Sequence, residues 1–305
     1  MLPRLRLGRV PALVVCLLLV AAAGCSCVQR QGPEYVPVDR ADAPAGMTRA
    51  ILWFAAPTGA AVPVTRDLPV GRARTWAAVD ALCAGPAADS GLLPTLPPGS
   101  RLRKVVYWPV GVAAAAAVDL DFRAPFAPPE AGQTYALSRT LSQFGDIQSA
   151  RVLVEGVPVA VAGPGSSEGR IDPASVRTIL RYSKVTVGSR VYLAADEFAA
   201  TDPHADFAVI AGQLLTDAYI NAMLPRGSEV TWSETPAGDS RTVLVTIRLR
   251  RSELSERDWA TVQLAADAIA LTLRSVPGTT TVTVAVSGQD RVFAYAGSVW
   301  PNPER

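Results

Sequence analysis

Leu96-Pro97-Pro98-Gly99-Ser100 is written again, with one change, as Leu224-Pro225-Arg226-Gly227-Ser228. The copies stand 128 residues apart, from 96 to 224. Each reads as a turn, because proline fixes φ and glycine admits a positive φ. The elements after each copy also repeat. Residues 118–122 align with 246–250 as strands, and a helix comes next in both halves, at 133–144 and at 256–275. A closing strand completes each half, at 151–154 and 281–286, with a drift of a few residues that a loop insertion explains. A shared turn and three elements in the same order predict a tandem duplication.

Working outward, the first unit reads as a strand at 48–54 and a helix at 76–84 with Trp76, Val79 and Cys83 on one face. Strands follow at 103–108 and 118–122, with the alanine-rich 113–117 as strand or loop. The second helix carries Leu137, Leu141 and Phe144 on one side. The second unit gives a strand at 185–193, a helix at 206–224 with Phe207, Ile210, Leu214 and Ala218 in a stripe, and a strand at 229–232. Residues 243–249 alternate apolar and polar side chains, the pattern of a half-buried strand. Ser255 with Asp258 resembles a capping box for the last helix, whose stripe is Trp259, Val262, Ala266, Ile269 and Leu273. The fold class is therefore α+β. Two similar domains are expected, each a two-layer sandwich of about four strands with two helices on one face, in βαββαβ order. The expected boundaries are a leader at 1–24, a flexible tether at 25–46, domains at 47–161 and 184–290, a linker at 162–183 and a tail at 291–305.

Composition narrows the function classes. The chain has 305 residues, 49% hydrophobic and 18% charged, with a formal charge of +2, which fits a packed protein and not a disordered one. No basic excess or run suggests a nucleic-acid partner. One histidine and four cysteines leave little for a metal centre, and no metal or cofactor is expected.

The N-terminus reads as an export signal. Arg4, Arg6 and Arg9 precede an apolar stretch over 10–23, too short for the roughly 20 residues of a spanning helix. Ala22-Ala23-Gly24-Cys25 is similar to a bacterial lipobox, with Ala22 where leucine is usual. Cys25 is thus the expected lipidation site, for an acyl chain such as palmitate. Removing residues 1–24 deletes three arginines and leaves 26 basic against 27 acidic residues, so acyl chains and not bulk charge would hold a membrane. Export permits disulfides. Cys27 and Cys83 then remain, either as a pair or as free thiols.

These residues carry a family resemblance. Ile51-Leu52-Trp53-Phe54, Thr65-Arg66-Asp67, Leu82-Cys83-Ala84-Gly85-Pro86, Leu96-Pro97-Pro98-Gly99, residues 118–122, Thr140-Leu141-Ser142-Gln143-Phe144 and Val152-Leu153-Val154-Glu155-Gly156 resemble the GerMN domain, over about 48–159. Cys83 stands where that family commonly has leucine. The second unit keeps Leu224-Pro225-Arg226-Gly227 and Leu271-Thr272-Leu273 but lacks the Ala-Gly-Pro. A lipobox and two such modules are similar to the layout of sporulation and germination lipoproteins. The lipobox, the repeat and the lack of a catalytic set point to a non-enzymatic lipoprotein on the extracytoplasmic face of the membrane, and the resemblance implies a role in sporulation and germination, at the outer forespore membrane or intermembrane space in a spore former. Its implied partners are the membrane through a lipid anchor, and envelope or sporulation proteins or peptidoglycan.

Candidate catalytic groups are few. Gly163-Pro164-Gly165 with Gly169 misses the dinucleotide fingerprint and suits a linker. His204 is the only imidazole and has no partner for a nucleophile–base pair. Asp119 and Asp121 share a strand face and, with Glu130, are the carboxylates a cell-wall hydrolase would use. Val118, Leu120 and Phe122 opposite them instead suggest an ordinary solvated face. A peptidoglycan-active hydrolase and a ligand-sensing envelope lipoprotein are the alternatives.

Overall fold

A computed structural model describes residues 33–304 apart from 71–72, 112–114, 164, 168, 174, 177–178, 199–205, 216–217 and 251–253. A short strand, β1 (Glu34–Tyr35), comes first. The first half then runs β2 (Met47–Ala55), β3 (Ala61–Pro69), α1 (Arg74–Ala84), β4 (Leu102–Val110), β5 (Ala115–Phe122), α2 (Ala131–Ser142), β6 (Ile147–Val154) and β7 (Val157–Val159). Two short strands, β8 (Ser166–Ser167) and β9 (Arg170–Ile171), lead into the second half. That half runs β10 (Leu180–Val187), β11 (Arg190–Glu197), α3 (Phe207–Leu215), α4 (Ala218–Met223), β12 (Glu229–Ala237), β13 (Ser240–Arg248), α5 (Glu256–Arg274), β14 (Thr279–Ser287) and β15 (Val292–Tyr295). The protein is α+β, as expected. Each half, however, opens with a hairpin and not with a single strand. Residues 185–193 are not one strand: Gly188 adopts φ +59° and turns the chain within two residues, as tight hairpins require.

The main sheets share one topology. β4-β5-β6-β7 and β12-β13-β14-β15 each pair antiparallel, parallel, antiparallel. The parallel pairs are joined by α2 and by α5, because parallel neighbours need a long crossover. Val118, Leu120 and Phe122 face inward from β5, as Val243, Val245 and Ile247 do from β13. The capping box on α5 forms as expected: Asp258 N donates to Ser255 Oγ and Ser255 N to Asp258 Oδ2, both at 3.2 Å.

The crossover helices also strap the opening hairpins, with the same chemistry in both halves. In the first, Trp53 N donates to Thr140 Oγ1 (3.2 Å) and Ile51 N to Gln143 Oε1 (3.0 Å), while Gln143 Nε2 returns a bond to Ile51 O (2.9 Å). In the second, Tyr182 N donates to Thr272 Oγ1 (3.0 Å) and Leu180 N to Ser275 Oγ (2.8 Å), while Ser275 Oγ returns a bond to Leu180 O (3.0 Å). Strand amides that would otherwise lie unpaired at an edge are satisfied by helix side chains.

The two halves share walls. From β2, Leu52 and Phe54 enter one core and Trp53 the other; from β11, Tyr192 and Ala194 enter the first core and Val191, Leu193 and Ala195 the second. Period-two alternation lets one strand feed two cores. Asn302 sits between β3 and β11 with only 5% of its surface exposed. Its Nδ2 donates to Pro63 O (2.7 Å) and Leu193 O (2.8 Å), and its Oδ1 accepts from Leu193 N (2.8 Å).

The expected tether, linker and tail are folded where they are described. The expected tether contributes β1, parallel to β11, and Trp300 pairs with Asp39. Tyr35 OH (2.7 Å) and Val38 N (3.1 Å) donate to Asp267 of α5, as do Tyr295 OH (2.6 Å) and Gln263 Nε2 (2.7 Å). Burial raises the Asp267 carboxyl above its ordinary value, and these four donors partly offset the rise. The expected linker supplies β8 and β9, with Ile171 buried against β6. The expected tail supplies β15 and the Asn302 joint, and Glu304 forms a two-pronged ion pair with Arg66 (2.6 and 2.8 Å). The sequence hides these roles because proline and glycine break the three segments into pieces too short to show a period.

The straps and the joint are testable. Thr140→Val and Thr272→Val each leave one strand amide without its acceptor and should cost about 1–3 kcal/mol in urea unfolding. Asn302→Ala strips three bonds at once and should cost at least as much, with an equal effect on probes placed in either half.

Candidate functional site

The outer face of β4, β5 and β6 collects the side chains with chemical potential. Asp119 and Asp121 lie on one face of β5, as their spacing requires, yet they are not solvated: they are 6% and 5% exposed. This corrects the solvated-face reading. β5 Asp119 stands directly across from β6 Arg151 in the parallel register. Arg151 Nε and Nη2 meet the two Asp119 oxygens at 2.7 Å each, and Trp108 Nε1 donates to Oδ2 at 2.8 Å. Asp121 is held the same way. The β4 register slips between Leu102 and Lys104, and this bulge re-aims Arg103, whose Nε donates to Asp121 Oδ2 at 2.8 Å. Gly156 N fills Asp121 Oδ1 at 3.0 Å.

The electrostatics follow from this geometry. The Arg151 hydrogen bonds lower the Asp119 carboxyl below its ordinary value, against the opposing effect of burial, and the Trp108 indole adds to the lowering. Asp119 is thus a committed anion in a two-pronged ion pair. A glycosidase acid needs the opposite, a carboxyl raised so that it carries a proton at working pH. Glu130 is also engaged: it caps α2, and its own N–H donates to Gln133 Oε1 at 2.9 Å. The arrangement can present a rigid, charged and aromatic surface. It has no free acid–base pair at these three positions.

The second half does not repeat this chemistry. Matching inward Val118 and Leu120 with Val245 and Ile247 puts Asp119 over Thr246 and Asp121 over Arg248. Trp108 and Trp232, which come after the shared turn in each half, are not equivalents either. Trp108 faces outward across from Ala117 and is 51% exposed, whereas Trp232 lies across from core Val245 and meets Phe207 edge-on at 5.9 Å. Tyr107, across from Val118, is the true counterpart of Trp232.

Other expected residues divide by position. Cys25, Cys27 and His204 lie outside the described residues. Cys83 is half-buried, and burial, with Asp80 nearby, pushes its thiol up to about 12, so it stays protonated and unreactive at neutral pH. Among the described residues no group of three or more potential ligands forms a metal cluster. The roles of Arg103, Arg151 and Asp267 escape a reading of the sequence. Two arginines on strand faces read as solvated, and a lone acid in a helix carries no period that marks it as buried.

The Asp119 clamp has a pH signature. A depressed folded-state value adds stability that is complete above the unfolded carboxylate value of about 3.9 and is lost as pH falls through the folded value. The stability gap between wild type and Asp119→Asn should therefore be constant near neutral pH and shrink below about pH 4, as read by urea unfolding across pH.

Comparison with known proteins bears on this architecture. Residues 51–160 match the Germane family model, described as sporulation and spore germination. No curated protein sequence gives a significant match. Among solved structures, the tandem GerMN domains of the sporulation protein GerM from Bacillus subtilis superimpose with a TM-score of 0.52 at 13% identity, covering 80% of this chain and 92% of that one. A putative lipoprotein from Clostridium perfringens aligns at 14% identity with a TM-score of 0.26, over 44% of this chain and 93% of that one. The chain is thus similar to the Germane family over residues 51–160 and shares the fold of the tandem GerMN domains over 80% of its length.

Proposed function

We propose that this protein is a lipid-anchored, non-enzymatic component of the cell envelope that serves sporulation and spore germination by binding other envelope components. The Germane match over residues 51–160 is the observation that carries this reading. The anchor is supported by Ala22-Ala23-Gly24-Cys25, with small residues directly before the cysteine. The non-catalytic role is supported by Asp119 and Asp121, the best carboxylate pair in the sequence, each engaged by an arginine.

The proposed anchor sits close to the folded body. Eight residues lie between Cys25 and Glu34, the first residue paired with β11, so the nine steps from one to the other span at most about 30 Å.

Labelling cells with radioactive palmitate tests the anchor: wild type should carry label and fractionate with membranes, and Cys25→Ala should lose both. Label persisting in Cys25→Ala would refute it. Deleting the gene in a spore-forming host should reduce heat-resistant spore counts or slow germination. Normal values for both would remove the sporulation role.

A further inference from the structure

The long strand edges of this protein are not treated alike. β2 and β10 are closed by the hydroxyl and amide straps from α2 and α5. β4 is a nine-residue terminal strand of its sheet, paired only with β5, and among the described residues no backbone group pairs with its outer edge. A strand edge of this kind is a template for an added strand.

The surroundings of β4 supply what strand addition needs besides backbone bonds. On its inner face a cleft of about 350 Å³ opens between the start of α1 and the strand, lined by Ala73, Trp76, Val105 and Tyr107. In the second half the corresponding space is closed by Trp232 against Phe207. On the outer face stand exposed Trp108 and Lys104. Trp108 is fixed by its bond to Asp119. Lys104 lies across from Asp121, but that carboxylate is taken by Arg103 and Gly156, and Lys104 has no ion-pair partner among the described residues. In strand addition, main-chain bonds give affinity and pockets for alternate side chains give specificity.

We propose that the β4 edge docks an extended segment of another protein, with an apolar side chain entering the cleft and an acidic side chain beside Lys104. The bulge at Arg103 and Pro109, which has no N–H, confine the pairing to residues 104–108. Charge chooses a partner protein over a second copy of this chain. A second β4 carries only basic charges, Arg103 and Lys104, and the other comparably open nine-residue edge among the described residues is β12. It carries Glu229 and Glu234, and both already face arginines of their own chain, Arg248 at 3.8 Å and Arg241 at 3.7 Å. The inference does not depend on the proposed anchor or on a role in sporulation.

The test is selection of random twelve-residue peptides displayed on phage against the full chain in detergent, and then titration of a synthetic form of the strongest binder. The enriched peptides should alternate apolar and acidic residues, and binding should protect the amides of residues 104–108 from hydrogen exchange. Ala73→Phe fills the cleft from an exposed helix cap, and Lys104→Glu reverses the outer charge. Each should weaken binding at least tenfold with an unchanged melting temperature, and a peptide with lysine in place of its acid should rescue Lys104→Glu. Protection mapped to another element, or equal binding by both variants, would overturn the proposal. So would enrichment of no peptide above unselected sequences. A concentration-dependent dimer abolished by Ala73→Phe would assign the edge to a second copy and also overturn it.

Discussion

Three hydrogen bonds from one side chain, Asn302, set the relation between the halves. They tie β3 of the first to β11 of the second, in a place where water cannot substitute. A buried amide left without partners costs more than its bonds contribute when made, so the joint is present in full or the hairpins separate. The double-faced strands β2 and β11 depend on it. Each buries side chains on both sides, and each would expose one apolar face if its neighbour moved away.

The halves are copies in scaffold and different in surface. Both keep the parallel pair, the crossover helix and the helix strap, which are the features that let each sheet close over a core. The first half adds the clamps of Arg151 on Asp119 and Arg103 on Asp121, and keeps its cleft open. The second puts Thr246 and Arg248 at those positions and closes the space with Trp232 and Phe207. The family match at residues 51–160 falls on the half that carries the clamps and the open cleft.

Much of this is legible in the sequence because it is periodic. The repeated turn, the alternation along residues 243–249, the helix stripes and the Ser255 cap each follow from spacing, and they give the α+β tandem architecture. Features set by single contacts are not legible. Gly188-Ser189 splits what reads as one strand: the pair is a two-residue hairpin signal, masked by the strand-forming residues that run on both sides of it. The bulge at Arg103 shifts β4 relative to the turn before it, so Trp108, 12 positions after Leu96, and Trp232, 8 positions after Leu224, face opposite ways although the two spacings have the same parity. Asp119 alternates as a surface residue does. Only its partner 32 positions away, brought alongside by the parallel register, turns it into an engaged group. The segments flanking the two units look like spacers because proline and glycine break them into short pieces.

Those flanking segments close the molecule late. Asn302 reaches Pro63 across 239 positions of sequence, and Val38 reaches Asp267 across 229. Contacts so distant are entropically slow to form. A ribosome or translocon delivers residue 63 long before residue 302, so β3 waits with one flank uncovered until the later residue emerges. A chain halted anywhere before Asn302 would leave that flank open for good, which makes this one amide a built-in check that both halves have been synthesised.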